Sequence, residues 1–357
     1  MKLDKLELVN FRNYKNQEIE FIDGINLFLG NNAQGKTNII EAIYIMAFGK
    51  SYRTLKDDEI INFNEDFSRI SLSYDKKDIK NNVIYTINNL NRKNILKNDV
   101  KIKKISDYVG EILVVIFSPD SLDIVKGAPS KRREFINIVA SQLSKSYIVA
   151  YQEYMKCLKL KNNCLKKDIV DREYIKILNS KMSEYIEKIV NFRKLVIDKI
   201  LEKAKVIHKN ITYDKEEIDL KYETDFLGLN ANQINEILNK YLDIEIMKKS
   251  SLKGIQRDDL IIYVNNVEVS KFGSQGQNRT ALLSLKLADF EVLKDVKKEN
   301  PILLLDDIMS ELDSNRISFL LKYIENYQSI ITTTDANFIK DIKNIKISKV
   351  LNGTLEI

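Results

Sequence analysis

At 357 residues, with 44% hydrophobic and 30% charged side chains, the chain holds enough apolar material for two or three compact units. One histidine rules out a histidine-pair mechanism, and two cysteines in a lysine-rich helical stretch support neither a disulfide framework nor a zinc site. The formal charge of +6 permits a nucleic-acid partner. No apolar run nears the roughly twenty residues that cross a bilayer, so the expectation is a cytoplasmic chain with no membrane partner.

In chain order, Leu3, Leu6, Leu8 and Phe11, followed by Ile19 and Phe21, alternate as in an antiparallel sheet and open an α/β lobe. Ile25 to Leu29 reads as a buried strand, and Asn38 to Phe48 has the apolar spacing of a helix. Between them stand Gly30, Asn31, Asn32, Ala33, Gln34, Gly35, Lys36 and Thr37, which match a phosphate-binding P-loop at each fixed position. The glycines allow backbone N–H groups to close around phosphate oxygens at a helix N-terminus. Lys36 is then placed to reach the β and γ phosphates of ATP, and the Thr37 hydroxyl to ligate Mg²⁺.

Further β-prone segments follow at Ile70 to Tyr74, Val83 to Ile87 and Leu113 to Ile116, with Asn/Lys-rich turns between them. From Ser130 to about Lys209 the pattern turns helical. Ile136, Ala140, Leu143, Tyr147, Ala150, Tyr154 and Cys157 recur at spacings of three and four, as do Leu178, Met182, Tyr185, Ile189, Phe192 and Val196. The two seams predict an antiparallel helical hairpin. Between Ser130 and Val170, Lys131, Arg132, Arg133, Lys145, Lys156, Lys159, Lys161, Lys166 and Lys167 face only Glu134, Glu153 and Asp168. That excess suits DNA phosphates, and equally a solvated helix face. Lys131, Arg132, Arg133, Lys156, Lys159 and Lys161 are the candidate DNA contacts, while His208 is expected to be structural.

After β-prone Ile218 to Tyr222 and Leu260 to Val264, the loop from Lys271 to Arg279 leads into a helix, Thr280 to Leu293. Ser274, Gly276 and Gln277 form a second candidate anion site at a helix N-terminus. Ile302 to Leu305 is an apolar strand that ends in Asp306 and Asp307, the position where ligands of open α/β sheets bind. This is a Walker B segment, with Asp306 in the Mg²⁺ shell and Asp307 orienting or deprotonating the attacking water. Ile330 to Asp335 is another buried strand with a polar end, where Thr334 or Asp335 is a candidate γ-phosphate sensor. The motifs outline an ATP-binding lobe over residues 1–122 with 298–357, and a helical lobe over 123–297.

A Ser-x-Gly-Gln loop shortly before a Walker B strand is the order of ABC-class ATPases. In that class the signature loop of one subunit binds the γ-phosphate held by the other subunit's P-loop, so two molecules sandwich two ATPs. The ATPase subunit of a membrane transporter is the alternative within the class; the long helical insertion and the missing histidine after the Thr332 strand stand against it. A P-loop kinase would not need Ser274 to Gln277.

Eight stretches taken together resemble the bacterial RecF family, ATPases of recombinational DNA repair related to SMC-type heads, over essentially the whole chain. They are Leu8-Val9-Asn10-Phe11-Arg12-Asn13-Tyr14, the P-loop, Ser51-Tyr52-Arg53-Thr54, Phe117-Ser118-Pro119-Asp120, Lys131-Arg132-Arg133, Arg257-Asp258-Asp259, Gly273 through Gln277, and Leu305-Asp306-Asp307 through Ser310-Glu311-Leu312-Asp313. The chain departs at Gly254-Ile255-Gln256, where the family typically has Gly-Pro-His. The resemblance implies an α/β, ABC/SMC-type P-loop ATPase head with an inserted helical lobe. It also implies an ATP-dependent homodimer on double-stranded and gapped DNA, weak DNA-stimulated and Mg²⁺-dependent hydrolysis, and a nucleoid-associated location. RecR and RecO mediators would be its partners in loading RecA. Arg12, in the first matching stretch, joins the nucleotide-binding residues on the same ground.

Overall fold

The computed structural model describes residues 1–339 and 342–356. The chain divides into unit 1, Met1–Ser121 with Asp289–Ile357, and unit 2, Leu122–Ala288. In chain order the strands and helices of the first stretch are β1 (Lys2–Phe11), β2 (Tyr14–Glu20), β3 (Ile25–Leu29), α1 (Lys36–Phe48), β4 (Phe67–Lys76), β5 (Ile79–Asn88), β6 (Lys93–Lys97), β7 (Val100–Lys101) and β8 (Val114–Phe117). Unit 2 runs through α2 (Asp123–Lys126), α3 (Pro129–Leu143), α4 (Lys145–Leu165), α5 (Arg172–Thr212), β9 (Ile218–Glu223), α6 (Ala231–Lys240), α7 (Leu242–Lys248), β10 (Asp259–Val264), β11 (Val267–Glu268) and α8 (Val269–Phe272). α9 (Gln275–Lys297) leads back to unit 1, which closes with β12 (Ile302–Asp306), α10 (Ser314–Ile324), β13 (Ser329–Thr333), β14 (Ile345–Leu351) and β15 (Thr354–Glu356).

Unit 1 contains two six-stranded sheets. The first, ordered β2-β1-β4-β5-β6-β7, is antiparallel throughout, and the apolar residues of β1 alternate inward as Leu3, Leu6, Leu8 and Phe11. Its register is set by two-residue turns at Lys77-Asp78 and Asn98-Asp99, all four residues holding positive φ. Such turns match the right-handed twist of paired strands, and Asn and Asp tolerate the left-handed conformation.

The second sheet runs β15-β14-β3-β13-β12-β8, with every neighbouring pair parallel except the β14–β15 hairpin. β12 and β13 are buried along their whole length, which is why β12 reads as an unbroken apolar run up to Asp306 and not as an alternating one. The order sets β13 between β3 and β12. The C-terminal ends of all three strands therefore open on one edge, where the loops that follow them meet.

Unit 2 contains the three-stranded antiparallel sheet β11-β10-β9 and the helical hairpin of α4 and α5. At 41 residues, α5 is about 60 Å long. The expected first seam, continuous from Ile136 to Cys157, is broken at Ser144. That residue leaves helical geometry at φ −144° and ψ 117°, and its hydroxyl accepts the Tyr147 N–H to begin α4. Serine interrupts the run because its side chain satisfies an orphan donor of the next helix. Asp171 begins α5 in the same way, accepting from the Tyr174 N–H at 2.9 Å. Cys157 and Cys164 are free thiols on the buried side of α4.

Candidate nucleotide and metal site

The P-loop is held by chain segments more than three hundred residues apart in sequence. The Asn13 amide, in the β1–β2 turn, donates to the Gln34 carbonyl at 2.9 Å, and the Tyr14 hydroxyl to the Gly35 carbonyl at 3.1 Å. From the β14–β15 turn, the N–H of Gly353 reaches the Gln34 carbonyl at 3.0 Å and that of Asn352 reaches Gln34 Oε1 at 2.7 Å. Two glycines are required by geometry. Gly35 sits at φ +113°, and a Cβ on Gly30 would lie 2.5 Å from the Val350 carbonyl oxygen. The remaining loop residues Asn31, Asn32 and Ala33 follow Gly30, with Ala33 also at positive φ.

Lys36 begins α1 and is buried. Its ammonium curls over the loop to donate to the carbonyls of Gly30 at 2.5 Å and Asn31 at 2.8 Å. Burial draws its pKa down, opposed by the negative charges of Asp307 and Asp306. Those donors are the ones an incoming phosphate would take over, since an ammonium has three N–H groups and no acceptor.

Thr37 and Asp306 meet across 269 residues of sequence: the Thr37 hydroxyl donates to Asp306 Oδ1 at 2.8 Å. The same oxygen accepts the Thr332 hydroxyl at 2.8 Å, and Oδ2 accepts the Tyr52 hydroxyl at 3.1 Å. Asp306 is itself buried at the end of β12. Asp307, next in the chain, turns into the left-handed region at φ 50°, with its N–H directed at both the Thr332 carbonyl and its hydroxyl, each at 3.1 Å. Its Oδ1 is buried without a hydrogen-bond partner. Burial pushes the Asp307 pKa up; Lys36 opposes the rise, and Asp306 and Glu311 reinforce it. A carboxylate held more basic than usual is suited to accept a proton.

Sequence reasoning did not assign roles to Tyr52, Thr332 and Glu41. Glu41, fully buried on α1, gathers the Arg12 guanidinium through Nε at 3.0 Å and Nη2 at 2.6 Å, the Ser51 hydroxyl at 2.5 Å and Arg53 Nη1 at 3.1 Å. Arg12 thus arrives beside α1, with its third nitrogen on the Glu59 carbonyl at 2.7 Å. One signal for Glu41 was a carboxylate in the otherwise apolar run Ile39 to Phe48. A buried charge requires partners, and arginines are the natural ones.

At the end of β13 the hydroxyl that reaches the Walker B carboxylate belongs to Thr332 and not to Thr334. Thr334 lies beyond the strand and is exposed. Asp335 closes its own turn, accepting from the Asn337 N–H and side-chain amide, each at 3.0 Å.

Within unit 2, Ser274 and Gln277 form a reciprocal cap. Gln277 N–H donates to Ser274 Oγ at 3.1 Å, and Ser274 N–H to Gln277 Oε1 at 3.0 Å. Ser274 is exposed and Gly276 half-buried at the start of α9. The Gln277 amide also donates to Glu216 Oε1 at 3.0 Å. His208 is fully buried, with Nδ1 3.0 Å from the Ser284 hydroxyl, consistent with a structural side chain. Gln256, where the family histidine would stand, accepts the Tyr154 hydroxyl and donates to the Lys253 carbonyl at 3.2 Å, joining α4 to the loop before β10.

The structure corrects half of the basic surface. Lys161 is fully buried and paired with the equally buried Glu245 at 2.7 Å, so it cannot meet a DNA phosphate. Arg132 is buried too and clasps Asp259 through two bonds of 2.7 Å. Arg133 is half-buried and donates to the Asp258 carbonyl at 2.8 Å. Asp258 in turn receives the buried Arg193 at 2.7 Å and the Tyr222 hydroxyl at 2.6 Å, so the Arg-Asp-Asp motif is a structural knot of unit 2. Lys131, Lys156 and Lys159 are exposed, Lys156 pairing with Glu153 at 2.5 Å. Spacing carried the warning: Lys161 lies four residues after Cys157 and three before Cys164, on the apolar face of α4.

The donor set at β12 suits a hard cation. A threonine hydroxyl and an aspartate carboxylate offer oxygen ligands, and the partnerless Asp307 Oδ1 stands beside them in sequence. Mg²⁺ is commonly held in this way, through one or two carboxylates with substrate phosphates and water completing the shell.

Residues 2–356 match the model of the RecF/RecN/SMC N-terminal domain family. Over 359 residues the chain is 40% identical to the DNA replication and repair protein RecF of Clostridium novyi, covering 99% of each. It is 41% identical over 365 residues to the protein of the same name from Clostridium tetani, again covering 99% of each. A solved structure of the recombination mediator protein RecF with ATP, of the RecFOR pathway, superposes with a TM-score of 0.91 at 32% identity, covering 99% of this chain and 97% of that one. An SMC head bound to the C-terminal winged-helix domain of ScpA shares the fold, with a TM-score of 0.60 at 17% identity.

Proposed function

The chain belongs to the RecF family, and from that premise we propose that it is an ATP-dependent DNA-binding protein of replication and recombinational repair. It binds ATP at the P-loop and pairs with a second copy, the Ser274–Gln277 loop of each completing the other's site. The observation that carries this reading is the Thr37 hydroxyl on Asp306 at 2.8 Å, which joins the end of the P-loop to the end of β12 across 269 residues of sequence.

In the proposed reaction, backbone N–H groups of the loop from Gly30 to Lys36 cradle the phosphates, and Lys36 exchanges its two carbonyl partners for phosphate oxygens. Thr37 and Asp306 would hold Mg²⁺, which would supply positive charge to neutralise the transferred phosphoryl group. Asp307, kept basic by burial, takes the proton of the attacking water or orients it. Aspartate reaches less far than glutamate, so intrinsic turnover is slow. The dimer engages double-stranded and gapped DNA, and works with RecR and RecO in loading RecA.

Sedimentation of the chain with ATP and duplex DNA tests this reading. The wild type should dimerise with ATP. Ser274→Arg puts a bulky cation where the opposing phosphate docks, so it should bind ATP and remain monomeric. An ATP-bound Ser274→Arg dimer would overturn the sandwich.

A further inference from the structure

Asp306 receives three hydroxyls from three separate parts of unit 1. Thr37 at the start of α1 and Thr332 on β13 share Oδ1, each at 2.8 Å. Tyr52 comes from the segment after α1 and takes Oδ2 at 3.1 Å. A carboxylate offers about four lone-pair sites, so these donors fix its plane and leave one site, on Oδ2, open.

Tyr52 is itself held firmly. Its ring stands edge-on to Tyr44 of α1 with centroids 5.1 Å apart. The preceding residue, Ser51, is pinned by its hydroxyl to Glu41 at 2.5 Å and accepts the Arg53 N–H at 2.9 Å. The segment from Ser51 to Thr54 is thus tied to α1 at one residue and to the end of β12 at the next. The Tyr52 hydroxyl is a donor with a fixed base and a single carboxylate target.

We propose that Tyr52 is a positioning residue of the metal site, holding the Asp306 carboxylate in the orientation that presents its remaining lone pair to Mg²⁺. This rests on the nucleotide–metal reading of the same site. Partners that orient a ligand without touching the metal alter metal affinity by about 10–100-fold when removed. Tyr52→Phe deletes the hydroxyl and keeps the ring against Tyr44, so the packing of the segment is retained.

The experiment follows binding of a fluorescent ATP analogue as Mg²⁺ is titrated, with a chelator-treated baseline. For Tyr52→Phe the half-saturating Mg²⁺ should rise about tenfold while metal-free nucleotide binding stays at the wild-type level. An unchanged Mg²⁺ midpoint overturns the proposal, as does an equal loss with and without metal, which marks a purely structural residue. A second readout uses the chain with 3-fluorotyrosine at position 52: its fluorine resonance should shift when Mg²⁺ joins bound ADP, and a resonance indifferent to Mg²⁺ overturns the role. Failure of the wild type to bind nucleotide at all would instead refute the P-loop reading, so the two failures are distinct.

Discussion

Lys36 and Lys161 are both buried lysines, and they differ in what their ammonium groups rest on. Lys36 rests on two carbonyls of its own loop, partners a phosphate can replace at little loss. Lys161 rests on a buried carboxylate, Glu245, that nothing from outside can reach. Burial lowers the pKa of each. What differs is the direct partner: Lys161 is ion-paired with Glu245, whereas Lys36 donates to carbonyls and feels Asp306 and Asp307 only at longer range. The same contrast separates the two regions around them: in unit 1 polar groups converge on Asp306 and Asp307 with acceptor capacity remaining, whereas in unit 2 Arg132, Arg193 and Lys161 are each matched to an acid of their own.

The contrast can be broken by substitution, and the largest effect is expected at Asp307. Asp307→Asn keeps shape and removes the base, so hydrolysis should fall by about 10²–10⁴-fold while ATP binding persists. Steady-state phosphate release beside equilibrium binding separates the two; undiminished hydrolysis would remove Asp307 from the reaction.

Next is Lys161→Met, which strands Glu245 in the interior and should lower stability by about 3–5 kcal/mol in urea unfolding. Adding Glu245→Met should restore most of that loss, because the uncompensated charge is then gone. Lys161→Met with wild-type stability would mean that the pair is not buried in solution.

Lys36→Ala should behave in the opposite way. Nucleotide affinity should drop on the order of a hundredfold, the worth of a contact to a charged group, with little change in nucleotide-free unfolding. Equilibrium titration with ATP checks the first part and a urea curve the second.

The smallest effect belongs to the exposed arm. Reversing Lys156 and Lys159 to Glu should weaken duplex binding without sequence preference and flatten its salt dependence by about one unit of log–log slope per lost phosphate contact. Titrations at several salt concentrations measure this directly. An unchanged slope would make those lysines merely solvated surface.

Local features of this chain were legible because their causes are local. The P-loop spacing, the alternation of β1, the apolar run of β12 and the seams of α4 and α5 each reflect a periodicity or a backbone requirement written within ten or twenty residues. Even the error at Lys161 was local, a lysine standing on the apolar stripe of its own helix. Partnership across distance was not legible. Nothing near Tyr52 announces Asp306, 254 positions away, and nothing in Ile330 to Asp335 tells that Thr332, and not Thr334, meets that carboxylate.

By itself, then, the sequence determined which segments become strands, helices and phosphate loop, because those choices follow from side-chain period and glycine placement. Only the tertiary structure decided which charges remain available. A buried ion must find a partner wherever the fold brings one, and the parallel order β3-β13-β12 assembled one set of partners on Asp306, while the packing of unit 2 matched Arg132, Lys161 and Arg193 with acids far along the chain.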